Sequence, residues 1–283
     1  MLMDIATLEF KSIQYRRSIL TMIKEAGAGH TGGSLSCVDI LNVLYNHVMK
    51  VNPGNFRSPD RDRYIHSKGH SVEALYTVLT DCGFFPAEDL KTFCKLGSHY
   101  VGHPTRKVNG IEQNTGALGH GLSVAVGLAL AAKINGQGYR VFTTMGDGEL
   151  TEGSIWEASM SAAHYKLDNL AVIVDRNTLQ ITGRTESVMT LEPLADRFRA
   201  FGFALREVDG NNLSDLVEVF DQLPFQIGKP SLVLAHTTKG KGISFIENAV
   251  DWHHHVPSDA EMGIALAELS QAEANWQATY ATV

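Results

Sequence analysis

The sequence predicts an α/β fold: a doubly wound, mainly parallel sheet flanked by helices. Three observations lead there. Short apolar runs alternate with segments of helical periodicity along the chain, as strands joined by helical crossovers do. The runs are apolar throughout, as strands covered on both faces are. Polar, glycine-rich motifs follow the strands directly, at the ends where open parallel sheets bind ligands.

The elements follow in chain order. The opening MLMDIATLEFKSIQYRRSIL lacks the basic-then-apolar pattern of a signal peptide and reads as an amphipathic helix over 8–26. A second helix is expected over 35–49. RYIHS (63–67) is the first strand candidate; it runs into SKGH and a helix over 71–81. A helix over 119–135 follows, and its apolar stretch LSVAVGLALAA is too short for a bilayer that needs about 20 residues. YRVFTTM (139–145) is a strand ending at GDGE, followed by a helix over 152–165. NLAVIVD (169–175) ends at DRNT, with a helix over 191–200. FALREVD (203–209) leads to a helix over 212–223, and PSLVLAHT (230–237) ends at TTKGKG. A polar helix closes the chain after Ser258. No Pro/Gly/Ser-rich linker divides the sequence, so a single domain over 1–283 is expected.

Of 283 residues, 44% are apolar and 19% charged, the balance of a soluble globular protein. A net charge of -7 and a pI near 5.9 argue against nucleic acid as a partner, since phosphate contacts need a basic surface. With no span long enough for a membrane, a cytoplasmic protein is expected. Cys37, Cys82 and Cys94 are odd in number and lack CxxC spacing, which suits buried structural thiols in a reducing compartment.

The chemistry concentrates in VFTTMGDGELTEGSIWEA, 141–158. A glycine turn between strand and helix suits an anion, because free backbone N–H groups and the helix dipole point into it. Yet Asp147, Glu149, Glu152 and Glu157 crowd this one with carboxylates. Taken alone, GDG is a tight turn with Asp147 capping the next helix. Asn177 shifts that reading. It lies thirty residues on, at the end of the next strand, and adjacent parallel strands would bring it beside Asp147. With the Leu179 carbonyl they form a hard, oxygen-only half-shell suited to Mg²⁺ or Ca²⁺, which would stand between the carboxylates and an anion. A zinc reading of His66 and His70 fails because the intervening Glu of a metalloprotease helix is missing and Gly69 favours a loop. Three consecutive histidines, His253–His255, do not converge readily on one tetrahedral ion. His47, His164 and His236 read as packing or surface residues.

GDG followed about thirty residues later by Asn resembles the thiamine-diphosphate fingerprint. GHTGGSLSCVDIL, SKGH, GHP, TGALGHGLSVAVGLAL, WEASMSAAHYKLDNL, GRTE, EPLADRFRAFGF and TTKGKGISFIEN, in this order and spacing, resemble the N-terminal half of transketolase over nearly the whole chain. The closest likeness is to the N-terminal subunit of split transketolases. The resemblance implies the diphosphate-binding (PP) domain of the thiamine-diphosphate-binding fold. It also implies transfer of a two-carbon ketol unit from a ketose to an aldose, with sugars or sugar phosphates as substrates. Asp147, Asn177 and the Leu179 carbonyl would hold the metal. Gly148, His70, Lys68, Lys239, Gly116, Leu118, Glu152, Asn177 and Ile181 would contact the cofactor. His30, His103 and His253 would bind substrate hydroxyls and transfer protons, as imidazoles near neutral pH can. Glu152 and Glu157 would sit at a subunit contact, beside the small residues of ASMSAA. The implied partner is a C-terminal subunit carrying the pyrimidine-binding domain, in an α2β2 assembly, without which the chain would be inactive and bind cofactor weakly.

The sequence departs from the family where Thr182 replaces a common Asp, and where His254 and His255 replace Gly and Lys in W-H-G-K-x-P. His120 occupies a position where the family has Gln or His. Rival readings are another thiamine-diphosphate enzyme (a sugar-sulfonate ketolase or decarboxylating synthase), a non-catalytic regulatory subunit of the same fold, or a magnesium-dependent phosphohydrolase.

Overall fold

The structure, a computed structural model, describes residues 3–280. Helix α1 (Ile5–Ala26) starts where the Asp4 side chain accepts from Thr7 N at 2.8 Å and stops at Gly27, whose left-handed φ of 66° favours a residue without Cβ. The cap sets the start three residues before the apolar periodicity does. Met1 and Leu2, part of the amphipathic reading, lie outside the described residues.

Helix α2 (Thr31–Val43) continues into one π-helical turn, Leu44–Val48. It begins four residues earlier than expected, because Gly32 and Gly33 look like loop residues in sequence. Every residue of α2 is buried, and a Cβ on Gly32 would lie 2.8 Å from the Trp252 carbonyl oxygen. Close packing, not a turn, accounts for that glycine.

Strand β1 (Arg63–His66), helix α3 (Val72–Asp81), helix α4 (Gly121–Ile134), strand β2 (Val141–Gly146), helix α5 (Gly153–His164) and strand β3 (Leu170–Arg176) follow in order. Next comes an antiparallel hairpin that the sequence pattern does not announce, β4 (Leu179–Gln180) with β5 (Gly183–Arg184). Then come α6 (Thr185–Val188), α7 (Leu194–Ala200), β6 (Ala204–Asp209), α8 (Leu213–Asp221), β7 (Ser231–His236) and α9 (Asp259–Tyr280). Ser258 and Glu261 form a reciprocal capping box at the start of α9, with Ser258 N donating to Glu261 Oε2 at 2.7 Å.

The five main strands are parallel, in the order β1-β2-β3-β7-β6. Strand order advances from β1 to β3 and runs backward from β6 to β7, so the winding direction reverses between β3 and β7. Side chains alternate between two cores. Phe142, Ile173 and Val233 face α1, α2, α3 and α8; Val141, Val172 and Leu232 face α4, α5 and α7. The doubly wound arrangement expected from sequence is the one observed. The cysteines differ in part: Cys37 is buried, but Cys82 is half-buried and Cys94 exposed. Among the described residues, no helix is long and apolar enough to cross a membrane.

Candidate functional site

The loops leaving β1, β2, β3 and β7 meet at one edge of the sheet because their strands are neighbours in register. Gly146 at the end of β2 pairs with Asp175 of β3, so Asp147 and Asn177 emerge side by side. Lys68 N donates to Thr144 O at 3.2 Å, which brings the SKGH loop alongside β2. Thr237 N donates to Arg176 O at 3.2 Å, which brings in the loop after β7. Together these loops enclose a cavity of about 420 Å³.

Asp147 Oδ1 accepts from Gly148 N at 2.8 Å, while Oδ2 accepts from Thr178 N at 2.6 Å and from Arg176 Nη1 at 3.2 Å. Burial and the nearby Asp175 carboxylate push its pKa up to about 6, against the opposing pull of Arg176. Asn177 Oδ1 accepts from Leu179 N at 3.1 Å, which aims the amide, and its Nδ2 donates to Asp175. The Leu179 carbonyl accepts from Lys239 Nζ at 3.2 Å. A carboxylate, an amide oxygen and a peptide oxygen thus line one cavity, and a lysine ammonium already rests on the third of them. A hard divalent cation fits this donor set, because all three donors are oxygens and they line one cavity.

The two lysines have different environments. Lys68 is buried and ion-paired with Asp175, which also accepts from Ser36, Thr237 and Asn177. Burial alone would lower the Lys68 pKa, but the Asp175 carboxylate outweighs it and holds the amine charged. Lys239 has no such carboxylate bonded to it among the described residues. Burial, helped by the Lys68 charge, lowers its pKa to about 8, and its ammonium meets His253 Nδ1 at 2.7 Å.

Five imidazoles gather over the cavity. His30 is the hub, its ring centroid 5.4 Å from that of His70, 6.1 Å from His103, 5.7 Å from His253 and 4.6 Å from His254. Burial first, and neighbouring imidazoles and lysines second, lower the His30 pKa to about 4 and that of His253 to about 3. His70 lies well below the ordinary value for the same reasons, and burial lowers His103. The His30, His70, His103 and His253 rings are thereby held neutral at physiological pH. His30 Nδ1 is buried with no hydrogen-bond partner among the described residues, an atom left available for a ligand hydroxyl.

Each site residue expected from sequence except Glu157 lines this cavity, with Gly116, Leu118, Gly148 and Ile181 among its walls. Ile181 stands 64% exposed at the hairpin tip. A Cβ on Gly148 would come 3.0 Å from the Gln180 side chain, so that glycine admits the hairpin as well as any ligand. Glu152 is exposed at the rim as the residue preceding α5, not in its first turn; Glu157 is exposed farther along the helix. His253 faces the cavity, His254 sits exposed beside His30, and His255 turns away to pack on Trp252 at 4.3 Å. Thr182 is exposed and accepts from Gln180 at 3.4 Å; exposed His120 precedes α4. Away from the cavity, His66 is buried against Tyr64 and Ser71.

Sequence reasoning missed Asp175 and Arg176 and left Glu149 without a role. Glu149 is buried and accepts from Ser67, Gly119 N (2.9 Å) and Gly146 N (3.1 Å), tying three of the site loops together. The signal for the first two was present. Two charged residues close an otherwise apolar buried strand, and buried charge needs partners.

Residues 10–273 match the family model described as transketolase, thiamine diphosphate binding domain. The chain is 47% identical over 95% of its length to one subunit of the apulose-4-phosphate transketolase of Phocaeicola vulgatus, and covers 96% of that protein. It is 42% identical over 90% of its length to the 6-deoxy-6-sulfo-D-fructose transketolase subunit SqwG of a Clostridium species, covering 94% of that protein. It is also similar to the solved transketolase of Campylobacter jejuni, with a TM-score of 0.83 and 30% identity, over 97% of this chain and 48% of that one. The chain therefore spans about half the length of that solved structure.

Proposed function

The chain belongs to the transketolase family, and from that premise we propose that it is the diphosphate-binding subunit of a two-chain transketolase. As one domain over 1–283 it supplies one end of a thiamine diphosphate site, and a partner carrying the pyrimidine-binding domain supplies the other. The assembly, an α2β2 hetero-oligomer, transfers a two-carbon ketol unit from a ketose to an aldose. One observation carries the reading: a single cavity collects the oxygen donors, both lysines and the histidines.

In this reading Asp147, Asn177 Oδ1 and the Leu179 carbonyl would hold Mg²⁺ or Ca²⁺, whose charge would offset that of a diphosphate. His70, Lys68, Lys239 and the Gly148 backbone would bind the diphosphate. Gly116, Leu118 and Ile181 wall the cofactor's ring end, with Glu152 at the rim. Bound thiamine diphosphate supplies the electron sink for C–C cleavage and formation. His30 and His103, kept neutral by burial, orient substrate hydroxyls and hold the proton that moves on cleavage; the unpaired Nδ1 of His30 is the atom available for it. His253 holds the far side through its contact with Lys239. Glu152 and Glu157 meet the neighbouring subunit. The two relatives named above differ in the sugar their names carry, so the ketose is proposed as a class.

Calorimetric titration of thiamine diphosphate with Mg²⁺ tests this, on the chain alone and co-expressed with a C-terminal transketolase subunit. Weak binding alone, then tight binding with ketol transfer in the complex, is the expected result. No binding in either case refutes the reading, and full activity of the lone chain refutes the need for a partner.

A further inference from the structure

His30 and His103 come from loops 73 residues apart in sequence, yet their ring centroids stand 6.1 Å apart. Helix α2 begins at His30 without any side-chain cap of its own. The missing cap comes from another helix. Glu73, in the first turn of α3 and fully buried, accepts from His30 N at 2.9 Å through Oε1 and from Ser34 Oγ at 2.7 Å through Oε2. One carboxylate thus satisfies an orphan donor at the α2 terminus and grips the following turn.

Three residues on, and so on the same face of α3, Tyr76 donates its hydroxyl to the His103 carbonyl at 3.3 Å. Tyr76 is itself fixed, packed edge-on against Phe93 at 6.2 Å and Tyr100 at 5.6 Å. The contacts are therefore made to the backbone of each histidine and leave both imidazoles free to face the cavity. Gly29 fits the same arrangement: a Cβ there would stand 2.7 Å from Glu73 Oε1. Burial raises the Glu73 pKa to about 7, and the two hydrogen bonds from His30 N and Ser34 Oγ supply the partners that a buried carboxylate needs.

We propose that Glu73 and Tyr76 are positioning residues, a pair one turn apart on α3 that sets the distance between His30 and His103. The catalytic weight of that distance rests on the function proposed above; the positioning itself does not. Neither residue touches substrate or cofactor in this scheme.

The test uses the full-length chain with Glu73→Gln, Glu73→Ala and Tyr76→Phe. Imidazole resonances and their titration, read by NMR, report position without any need for activity. Glu73→Ala is expected to shift the His30 signals and raise its pKa from about 4 toward the ordinary histidine value, as the loop opens to water. Glu73→Gln keeps an acceptor for His30 N and an amide for Ser34, so it restores most of the wild-type behaviour. Tyr76→Phe should move His103 and spare His30. In the two-chain complex, Glu73→Ala should lower kcat by about ten- to a hundredfold with a smaller change in KM, the effect of displaced catalytic groups. Unmoved His30 and His103 signals in folded Glu73→Ala and Tyr76→Phe overturn the proposal. Should Glu73→Ala fail to fold, an unmoved His103 in Tyr76→Phe does so alone. Failure of cofactor to bind the complex would sink the proposed function and leave the NMR result standing.

Discussion

At the scale of single residues, Arg176 orders the Asp147 end of the cavity. Its guanidinium reaches Asp147 at 3.2 Å, Thr185 Oγ1 at 2.7 Å, Glu186 at 3.1 Å and Glu192 at 2.8 Å. A planar fork with several fixed donors holds the Asp147 carboxylate in one orientation, as a lysine could not. Its charge also opposes the desolvation that would otherwise protonate Asp147. Arg176→Ala should therefore weaken Mg²⁺-dependent binding of thiamine diphosphate by about 10–100-fold, the usual loss when the residue orienting a metal ligand is removed. Calorimetry at fixed cofactor and varied Mg²⁺ reads it; unchanged affinity would remove Arg176 from the site. This residue also marks a limit of the sequence. Asp147 and Asn177 were legible because GDG and its Asn recur at a fixed spacing. Arg176 lies in DRNT between them, and its orientation depends on which face of β3 it leaves, which one sequence does not fix.

Elements were more legible than contacts. Each of the five main strands lies within two residues of where its run places it. Strands β2 and β3, buried along their whole length, are largely apolar as expected, whereas β6 at the sheet edge is half-exposed and carries Arg206, Glu207 and Asp209. The β4–β5 hairpin escaped notice because each strand is only two residues long and carries no periodicity. The start of α2 escaped because its glycines serve packing. The same ambiguity governs Gly69 in the loop joining β1 to α3. A Cβ there would lie 2.7 Å from Gly116 N and 2.9 Å from both Gly116 Cα and the Thr115 carbonyl carbon. Those neighbours are backbone and cannot rotate aside, so two site loops touch only because residue 69 lacks a side chain. Gly69→Ala should cost about 1–3 kcal/mol, as overpacking does, and lower the melting temperature by several degrees. Cofactor affinity should fall with it, since Lys68 and Gly116 sit on the two separated loops. A melting temperature equal to wild type would show that the loops can part freely.

Over the whole molecule, the site sets how stability responds to acid. Burial, reinforced by neighbouring lysines and imidazoles, depresses His30 to about 4 and His66 and His253 to about 3, and puts His70 well below the ordinary value; burial alone lowers His103. Burial also raises three carboxyls, Glu73 to about 7, Asp147 to about 6 and Glu149 above its ordinary value. The two groups act in opposite directions. As pH falls from the ordinary histidine value of 6.5 toward the ordinary carboxyl values near 4, the unfolded chain gains protons at the five histidines that the folded chain refuses. Over the same range the folded chain gains protons at Glu73, Asp147 and Glu149 that the unfolded chain refuses. Five sites against three leave the unfolded state binding more protons, so stability falls as pH is lowered through that window. Urea unfolding should accordingly show a lower midpoint at about pH 5 than at about pH 7.5, with the slope against denaturant unchanged. His66→Gln isolates one histidine, because it sits away from the cavity against Tyr64 and Ser71. Whatever it costs in packing, that variant should narrow the gap between the two midpoints. Stability that instead rose toward pH 5 would mean the carboxyls dominate and the histidine cluster is open to water.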